Sequence, residues 1–426
     1  MKGNENMISS LLDFKDRTDK TVRKSFRDNR IFQIAREEAF VVVMNSRQKR
    51  PPELLAKFMH QKLRSNNKIA PGDVKRILER ALVLFRYLNS KDVFAAFYKQ
   101  DMAKRLLMSQ SMSKDLERFA IQQFKIECGS MYTNNMEGMF KDMDISKEIS
   151  ATFEAYRTAR SKDNSSSSKA KTLVRLLTTG FWPSYTPLKI TLPSQIKSQE
   201  IMFTDFYDRK YSGRRVAWQH GLGSAVLRAQ FPRGRKELHV SIAQATVLML
   251  FNTHDNVSFD TIKSMVGMKR EDLHRVLKTL CSASVRILRV SKEHKLFSFN
   301  KAFSLKLFRI KLTSWLGSKE AKQKRDATNE KVWESRQYQI DACLVRFVFE
   351  RFDKNIEIFS NMNARTQVRM MKTRKTLKHN DLVAECARLV KFPVEPIRIK
   401  KRIESLLDRE YIKRDDSDSS TYHYIS

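Results

Sequence analysis

Glycine and proline are scarce, 11 and 9 residues in a chain of 426. That shortage argues against a turn-rich β fold and favours helices. Cysteine is rarer still. Cys128, Cys281, Cys343 and Cys386 lie far apart with no Cys-x-x-Cys among them, so neither a disulfide framework nor a zinc finger is expected, and a reducing compartment fits. No apolar run approaches about 18 residues, so no membrane partner is expected. The opening "MKGNENMISSLL" lacks the apolar stretch of a signal peptide. Negative charge is in short supply too: 47 Asp and Glu stand against 82 Lys and Arg, a formal net charge of +35. Such a field attracts polyanions, acidic protein tails and anionic surfaces without distinguishing them.

Catalytic signatures are missing as well. There is no Gly-x-Gly-x-x-Gly and no phosphate-binding loop, and "GLGS" at 221 has no Lys-Ser or Lys-Thr after it. None of the eight histidines stands at His-x-x-x-His spacing, so each reads as a surface or helix-face residue. No catalytic residue, metal or cofactor is expected.

What is present is helical patterning. The 41% apolar content supports two to four domains with real cores, and the 27 phenylalanines read as core. In "PELLAKFMHQKL", Leu54, Leu55, Phe58, Met59 and Leu63 share one helix face. In "DVFAAFYKQDMAKRLL", Val93, Phe94, Phe97, Met102 and Leu106 do the same. Long amphipathic helices with short breaks predict a bundle up to about residue 160. The serine-rich "RSKDNSSSSKAK" at 160–171 reads as a linker. "FWPSYTPLKITLPSQ" carries three prolines and excludes a helix, and "AVLRAQFPRGRKELHVS" alternates around Pro-Arg-Gly as a β-hairpin.

One plan then appears twice. "SIAQATVLMLF" and the segment opened by Ser258 predict two helices. A third carries Leu273, Val276, Leu277 and Leu280 at i, i+3, i+4, i+7, and "VRILRV" and "KLFSF" follow as short strands. Three helices and a hairpin is the winged-helix order. The second copy is C-terminal. "NDLVAECARLV" has Asn380 as its expected cap and turns Leu382, Val383, Cys386, Leu389 and Val390 inward. "IRIKKRIESLLDREY" aligns Ile399, Ile403, Leu406 and Leu407. The fold class is therefore mainly α with small β: a helical bundle, then an α/β region and two winged-helix modules. The expected domains are 1–175, 176–333 and 334–426. Winged helices often bind DNA through the third helix. Here that helix is basic at its start but diluted by Glu404, Asp408 and Glu410, so the pattern leaves nucleic-acid binding and protein interaction both open. "VRMMKTRKTLKHN", 368–380, crowds Lys372, Arg374, Lys375 and Lys378 beside two methionines. The run suits a solvated helix face, a nucleic-acid grip, or a lysine kept available for chemistry.

"KDVFAAFYKQDMAKRLL", "IECGSMYTNNMEGMFKDM" and "RQYQIDACLVR" resemble the C-terminal half of cullins, and "KFPVEP" with "KKRIESLLDREYIKRD" is most similar to the cullin four subgroup. The resemblance runs from about Met7 to Ser426. It implies a non-catalytic scaffold of a RING-type ubiquitin ligase, resident in nucleus and cytoplasm. The scaffold would hold a RING-box protein, which in turn recruits a ubiquitin-conjugating enzyme. It also implies a lysine that accepts a ubiquitin-like modifier; "MKTRK" places it at Lys372, with Lys375 and Lys378 as alternatives. The RING-box protein is expected to add a strand to the cullin sheet, and the segment holding Val226, Leu227, Ala229 and Phe231, with Arg233 and Arg235 at its turn, is the expected site. Two departures stand out. The chain begins at the bundle, so no substrate-adaptor surface is expected, and a truncated or decoy paralogue is implied. An insertion also lies near 346–368. Val345 and Val368 are 23 residues apart, and a continuous helix would add a rotation of about 140° across that span, turning the lysine from its family face.

Overall fold

The helical spacing of the first third of the chain is realised as α1 (Lys2–Ser25), α2 (Arg30–Asn45), α3 (Arg50–Leu63), α4 (Pro71–Arg86), α5 (Lys91–Leu107), α6 (Lys114–Cys128) and α7 (Ser130–Ser161). A computed structural model describes residues 2–46, 50–65, 69–161, 171–231, 234–282, 285–291, 296–312, 318–349, 376–390, 392–416 and 418–424. The expected linker at 160–171 and the inserted run near 346–368 fall largely outside these residues. The chain divides into two compact units, Met1–Glu137 with Lys324–Ser426, and Gly138–Gln323.

In the first unit, Leu55, Phe58, Met59 and Leu63 of α3 are buried, as are Val93, Phe94, Phe97, Met102 and Leu106 of α5. Pro51 and Pro52 sit in the first turn of α3, where a missing N–H costs nothing. Ser113 caps α6 by accepting from the Asp115 N–H at 3.1 Å. Phe85, Phe94, Tyr98 and Phe124 pack at centroid distances of 4.8 to 5.6 Å, in tilted, edge-on and stacked arrangements that favour ring contacts. A charged group is sealed beside them. Arg105 and Glu117 both have fully buried side chains. Arg105 donates to Glu117 at 2.5 and 2.8 Å, and Ser111 Oγ donates to the same carboxylate at 2.9 Å.

From Lys324 onward the C-terminal winged helix belongs to the same unit. It comprises α12 (Ser318–Phe349), β7 (Thr376–Lys378), α13 (His379–Leu389), α14 (Pro396–Asp408), β8 (Ile412–Arg414) and β9 (Thr421–Tyr424). Ile340 and Leu344 of α12 meet Leu382, Cys386, Ile399, Ile403, Leu406, Ile412 and Tyr422 in one core. Two sequence expectations change here. The N-cap of α13 is Lys378, with no side-chain cap bond, because the chain leaves β7 directly into the helix; Asn380 is already inside it. Leu389 lies in the last turn and is 44% exposed, so the buried stripe runs through Leu382 and Cys386 to Val390. Arg336 of α12 pairs with Asp92 of α5 through two hydrogen bonds of 2.6 and 2.8 Å and stacks over Phe392, fastening the long helix to the bundle.

In the second unit an extended stretch leads into α8 (Ser194–Lys210). Asp142 gathers it by accepting from Thr178 N–H, Thr178 Oγ1 and Trp182 Nε1 at 2.7 to 2.8 Å. Then follow β1 (Ser224–Phe231), β2 (Gly234–Ser241), α9 (Ile242–Leu250), β3 (Asn256–Ser258), α10 (Phe259–Val266), α11 (Arg270–Leu280), β4 (Leu288–Val290), β5 (Leu296–Phe299) and β6 (Arg309–Lys311). The predicted stripe of α11, Leu273, Val276, Leu277 and Leu280, is fully inward. The first winged-helix sheet is ordered β3–β5–β4 and the second β7–β9–β8. That shared topology bears out the duplicated plan and the mainly α class. Among the described residues, no helix is long and apolar enough to cross a membrane.

Candidate functional site

The β1–β2 hairpin is built from strict alternation. Eight residue pairs run from Ser224↔Ser241 to Phe231↔Gly234. Gly234, at φ +110°, takes a backbone conformation that L side chains rarely adopt. At the other end the chain passes so close to α9 that a Cβ on Gly223 would lie 2.5 Å from Ile242 Cγ1. Ser241 and Gln244 form a capping box there, starting α9 where β2 ends.

Side chains of one face, Leu227, Leu238 and Ile310 in register across the three strands, belong to or pack against the winged-helix core. Ala225 and Ala229 lie on that face as well, and Phe231 is 2% exposed, its ring 5.3 Å from Phe299 and 4.4 Å from Phe303. Val226 is on the opposite face and is 54% exposed. So the four apolar residues singled out in the sequence share a strand but not a face. Arg235 is exposed at the turn end of β2, and its Nε donates to Gln230 Oε1 at 3.3 Å. Arg233 lies outside the described residues.

Main-chain direction matters more than side-chain identity here. The sheet order is β1–β2–β6. The Glu237 N–H donates to Phe308 O at 2.9 Å, and the Leu312 N–H donates to His239 O at 3.0 Å, so odd-numbered β2 residues bond towards β6. Even-numbered ones therefore bond β1. Through the register, Ala225, Leu227 and Ala229 spend their main-chain groups on β2, whereas Val226, Arg228 and Gln230 turn theirs to the far edge. The Ile242 N–H bond to Gly223 O, 3.0 Å, is the one this phase demands. Among the described residues no strand pairs with that edge. Sequence reasoning found the hairpin but missed β6, whose three residues, Arg309–Lys311, are too few for alternation to identify; its parallel pairing is what leaves β1 outermost.

The proposed acceptor region is placed only in part. Lys372 and Lys375 lie outside the described residues. Lys378 is exposed at the end of β7. Beside it, the His379 N–H donates to Ser420 O at 2.7 Å, and its Nδ1 is 2.9 Å from the Tyr422 hydroxyl. Bonds from Ser420 and Thr421, with the Lys378 charge adding to them, hold the Asp418 carboxyl below the usual carboxylate range.

In the third helix of this winged module the arginines are drawn into internal pairs, while Lys400 and Lys401 are exposed. Asp341 of α12 accepts from Arg402 at 2.5 and 2.7 Å and from Arg409 at 2.8 Å. Burial would raise the Asp341 pKa, but these bonds outweigh it and leave the carboxyl below its ordinary range. Arg398 stacks on Trp333 at 4.1 Å and bonds Glu395. Arg398 and Arg402, two of the cations that made the start of α14 look like a DNA-reading helix, are thus committed within the fold.

Histidines that read as surface residues prove partly engaged. His220 Nε2 lies 2.7 Å from Glu200 Oε1, and His60 Nδ1 lies 2.8 Å from Arg105 Nη1. Burial, with the Arg105 and Lys104 charges adding to it against Asp101, pushes the His60 pKa from 6.5 down to about 4. Between those values the unfolded chain binds a proton that the folded one excludes. His60's contribution to stability is therefore complete above pH 6.5 and falls as pH drops towards 4. Denaturant unfolding at pH 7 and pH 5 is expected to show a smaller acid loss for His60→Gln than for the unaltered chain; equal losses would contradict this. Among the described residues no three His, Cys, Asp or Glu side chains cluster to hold a metal ion.

Comparison with known families follows the same order as the fold. The Cullin alpha solenoid domain matches residues 2–150, the Cullin alpha+beta domain 176–306, and the Cullin protein neddylation domain 362–418. The chain belongs to the cullin family. Cullin-4A of Homo sapiens is 41% identical over 430 residues, covering 99% of this chain and 53% of the relative. Cullin-4 of Dictyostelium discoideum is 34% identical, covering 99% and 54%. Cullin-3A of Arabidopsis thaliana is 35% identical, covering 98% and 55%. Within the family the similarity supports the cullin four subgroup. This cullin chain spans about half the length of the curated relatives it matches.

Proposed function

We propose that this cullin chain is a non-catalytic scaffold of a RING-type ubiquitin ligase. It would dock a RING-box protein on the open edge of β1 and, through it, a ubiquitin-conjugating enzyme. The observation that carries the reading is the edge itself. Val226, Arg228 and Gln230 present main-chain donors and acceptors along a strand that a rigid hairpin holds in place. Strand addition satisfies those groups without demanding particular side chains. The family match supports the partner's class. Scaffold and decoy differ only in whether the docked subunit remains able to recruit the conjugating enzyme. Residence in nucleus and cytoplasm belongs to the same proposal.

The test is purification from cells after nuclease treatment. A RING-box subunit is expected in stoichiometric amount. Its absence, with retention on DNA that salt abolishes, would overturn the reading in favour of a phosphate-binding protein.

The reading extends to a covalent step, with Lys372 as acceptor of a ubiquitin-like modifier and Lys375 or Lys378 as alternatives. Its ε-amine would form an isopeptide bond with the modifier's activated C-terminal carbonyl, releasing the carrier thiol. The match of the neddylation domain across 362–418 supports that location. Peptide mass spectrometry should find the branched lysine at Lys372, and Lys372→Arg should remove it. Modification persisting unchanged in that variant would move the site to Lys375 or Lys378.

A further inference from the structure

The outer face of the β1–β2–β6 sheet carries four cationic side chains and one carboxylate whose charges main-chain strand addition does not use. Arg228, Glu237 and Arg309 form a row across the three strands, Arg235 stands beside it on β2, and Lys311 lies two residues along β6. Arg228, Arg235, Arg309 and Lys311 are all exposed. Glu237 is shared. It lies 3.3 Å from Arg309 Nε and only 3.9 Å from Arg228 Nε, whose side chain is 88% exposed. Arg228 is thus the outermost member of the row, next to the open edge, and it has the weaker hold on the one nearby carboxylate.

We propose that this face selects an extended peptide segment bearing a carboxylate side chain opposite Arg228. The inference deepens the docking-edge reading and rests on it. A strand added to β1 places its outward side chains about 5 Å from those of Val226 and Arg228, within reach of cross-strand pairing. An apolar residue there meets the exposed Val226, and an acidic residue two positions along meets Arg228. A lysine at that position would instead face Arg228 with Arg309 behind it, and only Glu237 to offset them. The residues between point inward, over Ala225, Leu227 and Ala229, and are apolar. The partner pattern is therefore apolar inward, with apolar then acidic outward.

Peptide is favoured over nucleic acid for two reasons. The edge offers alternating N–H and C=O groups that only another peptide backbone matches in spacing. The aromatic ring of β1, Phe231, is buried on the inner face, so this strand offers no ring for base stacking.

The experiment uses the full chain and two synthetic fluorescent decapeptides. Both have valine and isoleucine on the inward positions; one has glutamate and the other lysine at the position meeting Arg228. By anisotropy at about 50 mM salt, the glutamate peptide is expected to bind about tenfold more tightly, and the gap should close at about 0.5 M salt. Arg228→Glu should reverse the preference and Arg228→Lys should retain it, with unchanged circular dichroism for both. Equal binding of the two peptides, binding of neither, or displacement by a ten-residue oligothymidylate as readily as by the glutamate peptide would overturn the proposal. Capture of a RING-box protein is measured in parallel. Capture without charge preference removes this selectivity alone, whereas no capture by the unaltered chain removes the docking edge itself.

Discussion

Glu117→Ala is expected to destabilise the N-terminal bundle by about 3–5 kcal/mol, because it strands a guanidinium in a dry core. Arg105 side-chain exposure is zero, and its Nε and one Nη donate to Glu117 while the other Nη meets His60. Burial alone would lower the Arg105 pKa, but the Glu117 carboxylate outweighs it and holds the value above its ordinary range. The neighbouring Tyr98, 3.4 Å from Glu117, is driven up by burial and then by that same negative charge, so it stays neutral and donates. Neither ring nor imidazole can replace the lost anion. The double replacement Arg105→Met with Glu117→Leu should cost far less than the single one, since it removes both desolvation penalties at once. Denaturant titration of the bundle transition measures both. A single-variant loss below about 1 kcal/mol would mean that water reaches the pair, as at surface salt bridges.

The second large effect is on association. Val226→Pro should weaken binding of a RING-box protein by about 2–4 kcal/mol, or ~30- to 1,000-fold, while leaving the hairpin folded. Val226 directs its N–H to the open edge, so proline there removes an edge donor without removing a β1–β2 bond. Leu227→Pro, one residue on, removes a bond to β2 instead and should unfold the hairpin. The contrast between adjacent positions separates edge pairing from general damage. Equal affinities for Val226→Pro and the unaltered chain would place the partner elsewhere.

Much of the fold was legible because its signals are local and repeated. The i, i+3, i+4, i+7 stripe of α11 and the alternation of β1 and β2 each fix which side faces the core, and a one-residue slip would expose it. The Leu389 expectation failed for a local reason too: in a short helix that ends at Leu389 itself, the last apolar position can lie off the stripe. The buried pair was not legible. Arg105 and Glu117 sit 12 residues apart on different helices, and each looks like part of a solvated face until tertiary packing encloses it. The same is true of Asp341, whose two arginines lie 61 and 68 residues away and meet it only in the folded chain. At the candidate site the sequence indicated the hairpin but not which main-chain groups are unspent. That followed only from β6, three residues pairing in parallel on the far side of β2. Family resemblance supplied the proposed class of partner and the proposed acceptor lysine, neither of which charge or periodicity could single out.

Residue-resolved amide hydrogen exchange along β1, with and without a RING-box protein, bears most directly on the docking edge. The free chain should show slow exchange at Ala225, Leu227 and Ala229 and fast exchange at Val226, Arg228 and Gln230. On addition of the partner the second set should slow to match the first. An unchanged alternation in a complex that has demonstrably formed would contradict strand addition at this edge.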